Sequence, residues 1–384
     1  MADFANKIFT CLDANATEPL RPQAREAMQA AADLDGNPSS PHRAGRVARA
    51  LLESARERIA DLFGGDSDEL IFTSGGTEAN VLAIQAAQRP ILAAATEHEC
   101  VRSALPDGAR TVPVAADGRI RLDRLEQMLA EAAAPVLVCL MLANNETGVI
   151  HPLADAMLLC RRHGAWLHVD AVQAAGRIPL DLGLLGADSL ALSAHKLGGP
   201  KGAGALFLAG GRRGRLTPMI AGGGQERGRR GGTPALPAIA GFAAAAAAAT
   251  ADLAARAGRQ SRLRDRIEHA AIAAGAIVCG GEAPRLSNTT CLAVPGRRSE
   301  AQLIALDLAG YGVSAGSACS SGKAARSHVL EAMGLDTLAG QAIRVSLPWN
   351  VESDAVDGFI AAYRTMAGRP PWPGQVGAGE RGAA

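Results

Sequence analysis

The chain has 384 residues, enough for two domains that each bury a core of their own. Hydrophobic residues make up 48% and charged residues 20%, the balance of a globular chain and not of a disordered one. Against 39 basic side chains stand 38 acidic ones, so bulk electrostatics gives no reason to expect nucleic acid or an anionic membrane as a partner.

The first twenty residues, Met1 to Leu20, carry acids and lack both a signal-peptide core and an Arg-rich transit pattern. No apolar run approaches the roughly 20 residues that a membrane helix needs. From about residue 20 to 240, helical stretches alternate with short apolar runs. Leu51–Phe63 has helical spacing, with Leu52, Ile59, Leu62 and Phe63 along one side. Strands are predicted at Glu69–Thr73, Ile91–Ala95, Val136–Leu142, Trp166–Val169, Ser189–Leu192 and Ala205–Leu208. Such spacing predicts an α/β fold with a mainly parallel sheet covered on both faces, whose ligands gather at the carboxyl ends of the strands. The alanine-rich segment Phe242–Ala257 predicts one long helix leading into a smaller domain, because alanine is the strongest helix former. The expected organisation is an N-terminal segment 1–15, a large domain 16–247, a smaller domain 248–368 and a flexible Pro/Gly/Ala-rich tail 369–384.

The seven cysteines are odd in number, scattered and never in a C-x-x-C pair. That argues against a disulfide framework or a zinc site and sets the expected location as the cytoplasm. Most sit among Val, Leu and Ala and read as small buried hydrophobes. Cys319 differs. It lies in Gly316-Ser-Ala-Cys-Ser-Ser-Gly322, among the smallest residues, a composition that predicts a mobile loop and an accessible thiol.

Four pieces carry chemistry, and each has a plain reading beside the functional one. Thr73-Ser-Gly-Gly-Thr-Glu-Ala-Asn80 runs from a strand through paired glycines into a helix. It reads as an anion cradle or as a simple capped helix. His168-Val-Asp-Ala-Val-Gln173 puts Asp170 at the end of an apolar strand, either for a cationic ring nitrogen or as a helix cap. Ser193-Ala-His-Lys-Leu-Gly-Gly-Pro-Lys-Gly202 places Lys196 between an apolar strand and a Gly-rich turn. Alone it reads as surface charge; in company it is an imine-forming amine. Gln225-Glu-Arg-Gly-Arg-Arg-Gly-Gly-Thr233 reads as a solvated turn or as a second anion-binding loop. An anion cradle, an acid for a ring nitrogen and an imine-forming lysine together are the equipment for pyridoxal phosphate.

Carrying these motifs, with Asn144-Asn-Glu-Thr-Gly148, Thr96-Glu-His98, the Cys319 loop and Ile343-Arg-Val-Ser346, the chain resembles the cysteine desulfurases that supply sulfur to iron–sulfur assembly. The resemblance covers nearly all of it except the tail. It implies a fold-type-I, aminotransferase-like architecture, a homodimer and pyridoxal 5'-phosphate as cofactor. It assigns Lys196 to the covalent link, Asp170 to the pyridine nitrogen and Gln173 to the ring oxygen. His98 is expected to stack on the ring and Asn145 to contact it. Gly76, Thr77, Ser193 and His195 are expected to hold the phosphate, with Thr233 from the neighbouring subunit. Arg344 is implied as the clamp for the carboxylate of L-cysteine, with Asn15 near the substrate. Cys319 is implied as the sulfur acceptor, carrying a persulfide to an iron–sulfur scaffold or thiolation protein. The chain departs from the family's pattern at Glu18, Ala194, Lys323 and Pro348; Glu18 is expected at the substrate mouth, and Lys323 with Arg326 to bear on partner docking.

Overall fold

The computed structural model describes residues 9–210, 216–316 and 326–368. Cys319, Lys323 and the tail from 369 lie outside the described residues.

Strand β1 (Thr10–Cys11) leads into helices α1 (Pro22–Ala32) and α2 (Arg43–Leu62). The chain then alternates through β2 (Leu70–Thr73), α3 (Gly76–Ala87), β3 (Ile91–Ala94), α4 (Glu99–Arg102), β4 (Arg110–Val112), α5 (Leu122–Ala130), β5 (Leu137–Met141) and α6 (Leu153–Arg162). It continues with β6 (Trp166–Asp170), α7 (Leu182–Leu185), β7 (Ser189–Ser193) and β8 (Gly204–Leu208). Two helices follow, α8 (Leu236–Ala251) and α9 (Leu253–Ala273). The remainder is β9 (Ile277–Val278), β10 (Thr289–Ala293), α10 (Ser299–Leu308), β11 (Tyr311–Gly312), α11 (His328–Ala332), β12 (Ala342–Ser346) and α12 (Ser353–Gly368).

The six predicted strands are present as β2, β3, β5, β6, β7 and β8, each within a residue of its expected bounds. Together with β4 they form a seven-stranded sheet of order β2-β8-β7-β6-β5-β3-β4. Arg110–Val112, at the sheet's edge, escaped the sequence reading because it is short and two of its three residues are exposed. The sheet is parallel except for β8, which runs antiparallel to both β7 and β2. Only residues 194–203 join β7 to β8, too few for a crossover, which needs a dozen or more, so the chain must double back. Lys196 sits in that reversal. The carboxyl ends of β2, β3, β5, β6 and β7 consequently share one edge of the sheet.

The single helix expected over 242–257 is two helices. α8 and α9 meet at Asp252 with a bend of 71°. Alanine favours helix everywhere, but side-chain chemistry decides where it ends. The buried Arg256 guanidinium pairs with Asp252 and donates to the carbonyls of Ala249 (2.8 Å) and Gly176, satisfying acceptors that the break exposes. Ala243, Ala245, Ala246 and Ala249 of α8 join the core that covers the large sheet. Small residues suit this helix because it lies close on its neighbours: a side chain at Gly241 would sit 2.5 Å from Met28 Cγ. Leu263, Ile267 and Ala271 of α9 pack instead in a second core with Ile343, Val345, Phe359 and Tyr363. Leu12 belongs to this second core as well, because β1 pairs with β11.

Candidate active site

Asp170 ends β6 at the sheet's carboxyl edge. Its Oδ1 accepts the Val172 amide at 2.9 Å and its Oδ2 accepts Asn80 Nδ2 at 2.8 Å. Lys196 reaches the same space from the β7–β8 reversal. Its Nζ donates to the carbonyls of Asn15 at 2.6 Å and Ala16 at 2.9 Å. Gln173 Nε2 shares the Asn15 carbonyl at 3.0 Å, while its Oε1 accepts from Arg177. His195, just before the lysine, lies 3.3 Å from Thr17 Oγ1 through Nδ1. Burial above all, with Lys196 adding to it, brings its pKa down to about 4, so the ring is neutral near pH 7.

A helix start forms the wall. Gly75 and Gly76 turn β2 into α3, and a side chain at Gly76 would lie 2.6 Å from Val172 Cγ2. The residue must therefore be glycine, and the first turn of α3 comes to the cavity bare, beside Thr77 and Ser193. Glu78 Oε2 accepts the Ser74 amide at 2.7 Å, and Arg230 holds Glu78 at 2.9 Å.

The opposite wall comes from three loops and the smaller sheet. Asn144 Oδ1 accepts the amides of Glu146 and Thr147, both at 2.9 Å, and this turn presents Asn145 after β5. His98 begins α4 and accepts the Cys100 amide at 3.1 Å. Burial pushes its pKa below the ordinary value. Arg344, in the middle of β12, is 4% exposed. It donates from Nη1 to the Asn145 carbonyl at 3.0 Å and from Nη2 to Asp13, and its buried Nε has no partner among the described residues.

These groups line one cavity of about 370 Å³: Asn15, Gly76, Thr77, His98, Asn145, Asp170, Gln173, Ser193, His195, Lys196 and Arg344. A larger recess of about 510 Å³, lined by Glu69, Arg161, Trp166 and Asp188 among others, lies at the opposite ends of the strands and collects none of them. Thr233 is exposed and lines no part of this chain's cavity. Cys319 lies outside the described residues.

Two readings of the sequence need correction. The arginines of the Gln225–Thr233 loop are not free to hold an anion, because they are engaged within the chain. Arg227 pairs with Asp68, Arg229 donates to the carbonyls of Asp68 and Leu70, and Arg230 pairs with Glu78. Its centre is Glu226, which takes a bidentate pair from Arg56, both bonds at 2.8 Å, and the Phe72 amide at 2.9 Å. Both side chains are at most 4% exposed. Glu226→Ala leaves the buried Arg56 charge with only the half-exposed Glu53 as its counter-charge and the Phe72 amide without its acceptor, and should cost about 3 kcal/mol in denaturant unfolding. Glu18, expected at the substrate mouth, does not line the cavity. It is buried against Arg177 at 3.3 Å and accepts the Trp349 amide at 3.1 Å, tying the segment after β1 to the turn after β12. Ala194, at another departure, is fully buried inside the lysine's turn.

Some residues of this site were missed. Cys139, Cys160, Cys279 and Cys291 are buried as expected, but Cys100 lines the cavity. Burial and then the Asp170 charge push its thiol up to about 12. Glu97 is fully buried beside His98; Oε1 accepts the Met141 amide at 2.6 Å, and Oε2 has no partner among the described residues. Burial first, then Asp170, raises its pKa to about 8. No pattern in the sequence marks a carboxyl that stays protonated; only its burial next to a second acid does so. The native state therefore holds a proton that the unfolded state releases near 4.5. This contribution to stability is full below pH 4.5 and drains away as pH rises to about 8, by at most ~1.4 kcal/mol per pH unit. Glu97→Gln should gain stability relative to the wild type from pH 5 to 8, as denaturant titrations at fixed pH would read.

The family model described as Aminotransferase class-V matches residues 10–359. An IscS-like cysteine desulfurase of Mycobacterium tuberculosis is 39% identical, over 93% of this chain and 97% of that protein. The solved structure of a NifS-like protein from Rickettsia africae superposes with a TM-score of 0.87 at 33% identity, over 93% of this chain and 99% of its own. A structure described as SspA in complex with cysteine superposes with a TM-score of 0.75 at 30% identity, over 88% and 99%. With a mostly parallel sheet, a lysine in the reversal after β7 and these relatives along almost its whole length, the chain belongs to the class-V aminotransferases and, among them, to the cysteine desulfurases.

Proposed function

We propose that the cavity binds pyridoxal 5'-phosphate and that the protein converts L-cysteine to L-alanine, leaving the sulfur as a persulfide on Cys319. The observation that carries this is the convergence of the Lys196 amine, the Asp170 carboxylate and the Arg344 guanidinium on one cavity of about 370 Å³.

The residues fit the group. The side-chain-free start of α3 at Gly76, with Thr77 and Ser193, suits a phosphate. Asp170, buried and held by two donors, suits a protonated ring nitrogen. When bound, the cofactor supplies an electron sink for the substrate's α-carbon. The protein's own groups do the rest. Lys196 holds the cofactor covalently and, once displaced, moves the proton at the substrate's α-carbon. Arg344, which lines the cavity, takes the substrate carboxylate with its planar guanidinium. Gln173 has its Oε1 engaged by Arg177, so it turns a donor and not an acceptor toward the ring oxygen. His98, kept neutral by burial, covers the ring without adding a second positive charge. Cys319 takes the substrate's sulfur, and one cysteine plus one protein thiol gives one alanine plus one protein persulfide.

A homodimer accounts for Thr233, exposed on this chain and available to a neighbouring copy's phosphate site. The persulfide is then passed, in the cytoplasm, to an acceptor protein for iron–sulfur assembly or thiolation. The direct test is chemical. Purified protein should carry a near-visible absorption band that borohydride abolishes, and peptide mass mapping should then find the pyridoxyl adduct on Lys196. A colourless protein that stays so with excess pyridoxal phosphate would defeat the proposal.

A further inference from the structure

Behind Asp170 lies a line of buried polar residues with no role in the chemistry so far. Asn80 and His168 are fully buried and Ser189 is 4% exposed. The fold brings them together for a simple reason. His168 and Asp170 alternate onto one face of β6, and Ser189 of β7 is the register partner of His168. The register partner of Asp170 is Ala191, which leaves space above the carboxylate. Asn80 stands one helical turn after Gly76 and fills that space, joining the two strand residues. Its Nδ2 donates to Asp170 Oδ2 at 2.8 Å, its Oδ1 is 2.9 Å from His168 Nε2, and His168 Nδ1 is 2.8 Å from Ser189 Oγ.

The direction of every bond follows from one end. An ionised carboxylate only accepts, so Asn80 must turn its NH₂ to Asp170 and its carbonyl to His168. His168 therefore carries its proton on Nε2, and its bare Nδ1 accepts from the Ser189 hydroxyl. The second Asn80 N–H points at Cys100 Sγ, 3.3 Å away. A flipped amide would set its oxygen against the carboxylate oxygen of Asp170. We propose that Asn80, His168 and Ser189 are positioning residues for Asp170, a chain of uncharged donors that fixes the carboxylate's orientation and supports its charge without neutralising it.

The absence of charge is the functional point. Burial lowers His168 to about 4, so the ring stays neutral at any working pH. A cation in its place would compete with the ring nitrogen for Asp170; a neutral donor orients the carboxylate and leaves the bound heterocycle as its counter-charge. Three buried polar side chains are otherwise a costly way to fill space that apolar ones fill well.

The inference rests on the cofactor reading, and the test separates the two. In the wild-type apoprotein, ¹⁵N spectra of labelled histidine should show His168 protonated on Nε2 alone; a proton on Nδ1 overturns the chain as drawn, whatever the activity. His168→Phe should weaken pyridoxal phosphate binding to the apoprotein about tenfold and lower kcat about tenfold at unchanged KM for cysteine. His168→Gln, which can still donate to Asn80, should recover most of both. If His168→Phe fails to fold, Ser189→Ala takes its place, with His168 still protonated on Nε2 and a smaller loss in the same two quantities. Wild-type affinity and kcat in a folded variant overturn the positioning role alone. Failure of the wild type to bind cofactor removes the reading beneath it.

Discussion

Replacing Lys196 with alanine should lower turnover of cysteine by about 10²–10⁴-fold, the range over which a placed acid–base group acts, and should also remove the covalent tether. The fold should survive, because the amine bonds to the carbonyls of Asn15 and Ala16, which belong to a segment held independently. Arg21 donates to the Leu197 carbonyl, and Trp349 donates to both Glu18 and the Pro19 carbonyl. Lys196→Arg is the sharper comparison. It keeps the charge but cannot lose its proton, so it should be as inactive as the alanine variant. Wild-type alanine release by the arginine variant alone would show that the lysine contributes only charge, and by the alanine variant that it contributes nothing. The measurement is alanine formation, read beside the near-visible band.

Cys319→Ser should abolish sulfide release under reductant while cofactor binding and the absorption change on adding cysteine persist. Sulfur transfer needs a thiolate, and a serine hydroxyl is neither ionised nor soft enough to replace it. The cavity's own thiol offers no substitute. Cys100, pushed up to about 12, is ionised at pH 7 in only about one molecule in 10⁵. Cys139, Cys160, Cys279 and Cys291 are buried in the cores. Normal sulfide production by the variant would move the acceptor role away from Cys319. The variant also separates the two proposed roles: loss of Lys196 should stop the reaction before the carbon–sulfur bond breaks, and loss of Cys319 only the receipt of the sulfur.

Much of the site was legible because its residues lie in short runs whose local structure places them. A carboxylate that follows an apolar strand has to emerge at the sheet's carboxyl edge, as Asp170 does. Paired glycines between a strand and a helix have to leave a bare helix start, as at Gly76. A lysine in a reversal too short for a crossover has to return to the same edge, as Lys196 does. Glu226 and the loop arginines show the opposite case. Their charge suggested a ligand from solution, but Arg56, Asp68 and Glu78 already engage them, and those partners lie far off in the chain. Glu18 was likewise assigned to solvent at the mouth and is instead a buried pin on Arg177.

By itself the sequence determined six of the seven strands of the large sheet and the edge of that sheet at which Lys196 and Asp170 gather. Periodicity and turn composition report these because they are properties of neighbours along the chain. The tertiary structure alone decided who holds whom. The Lys196 amine rests on carbonyls some 180 residues earlier, and Arg344 meets Asp13 across 331 positions. Asn80 turns its amide N–H toward Asp170, 90 positions beyond it, and that turn sets the direction of a histidine proton. A polar group can take any complementary partner, and only the packing of distant surfaces, driven by apolar burial, selects one.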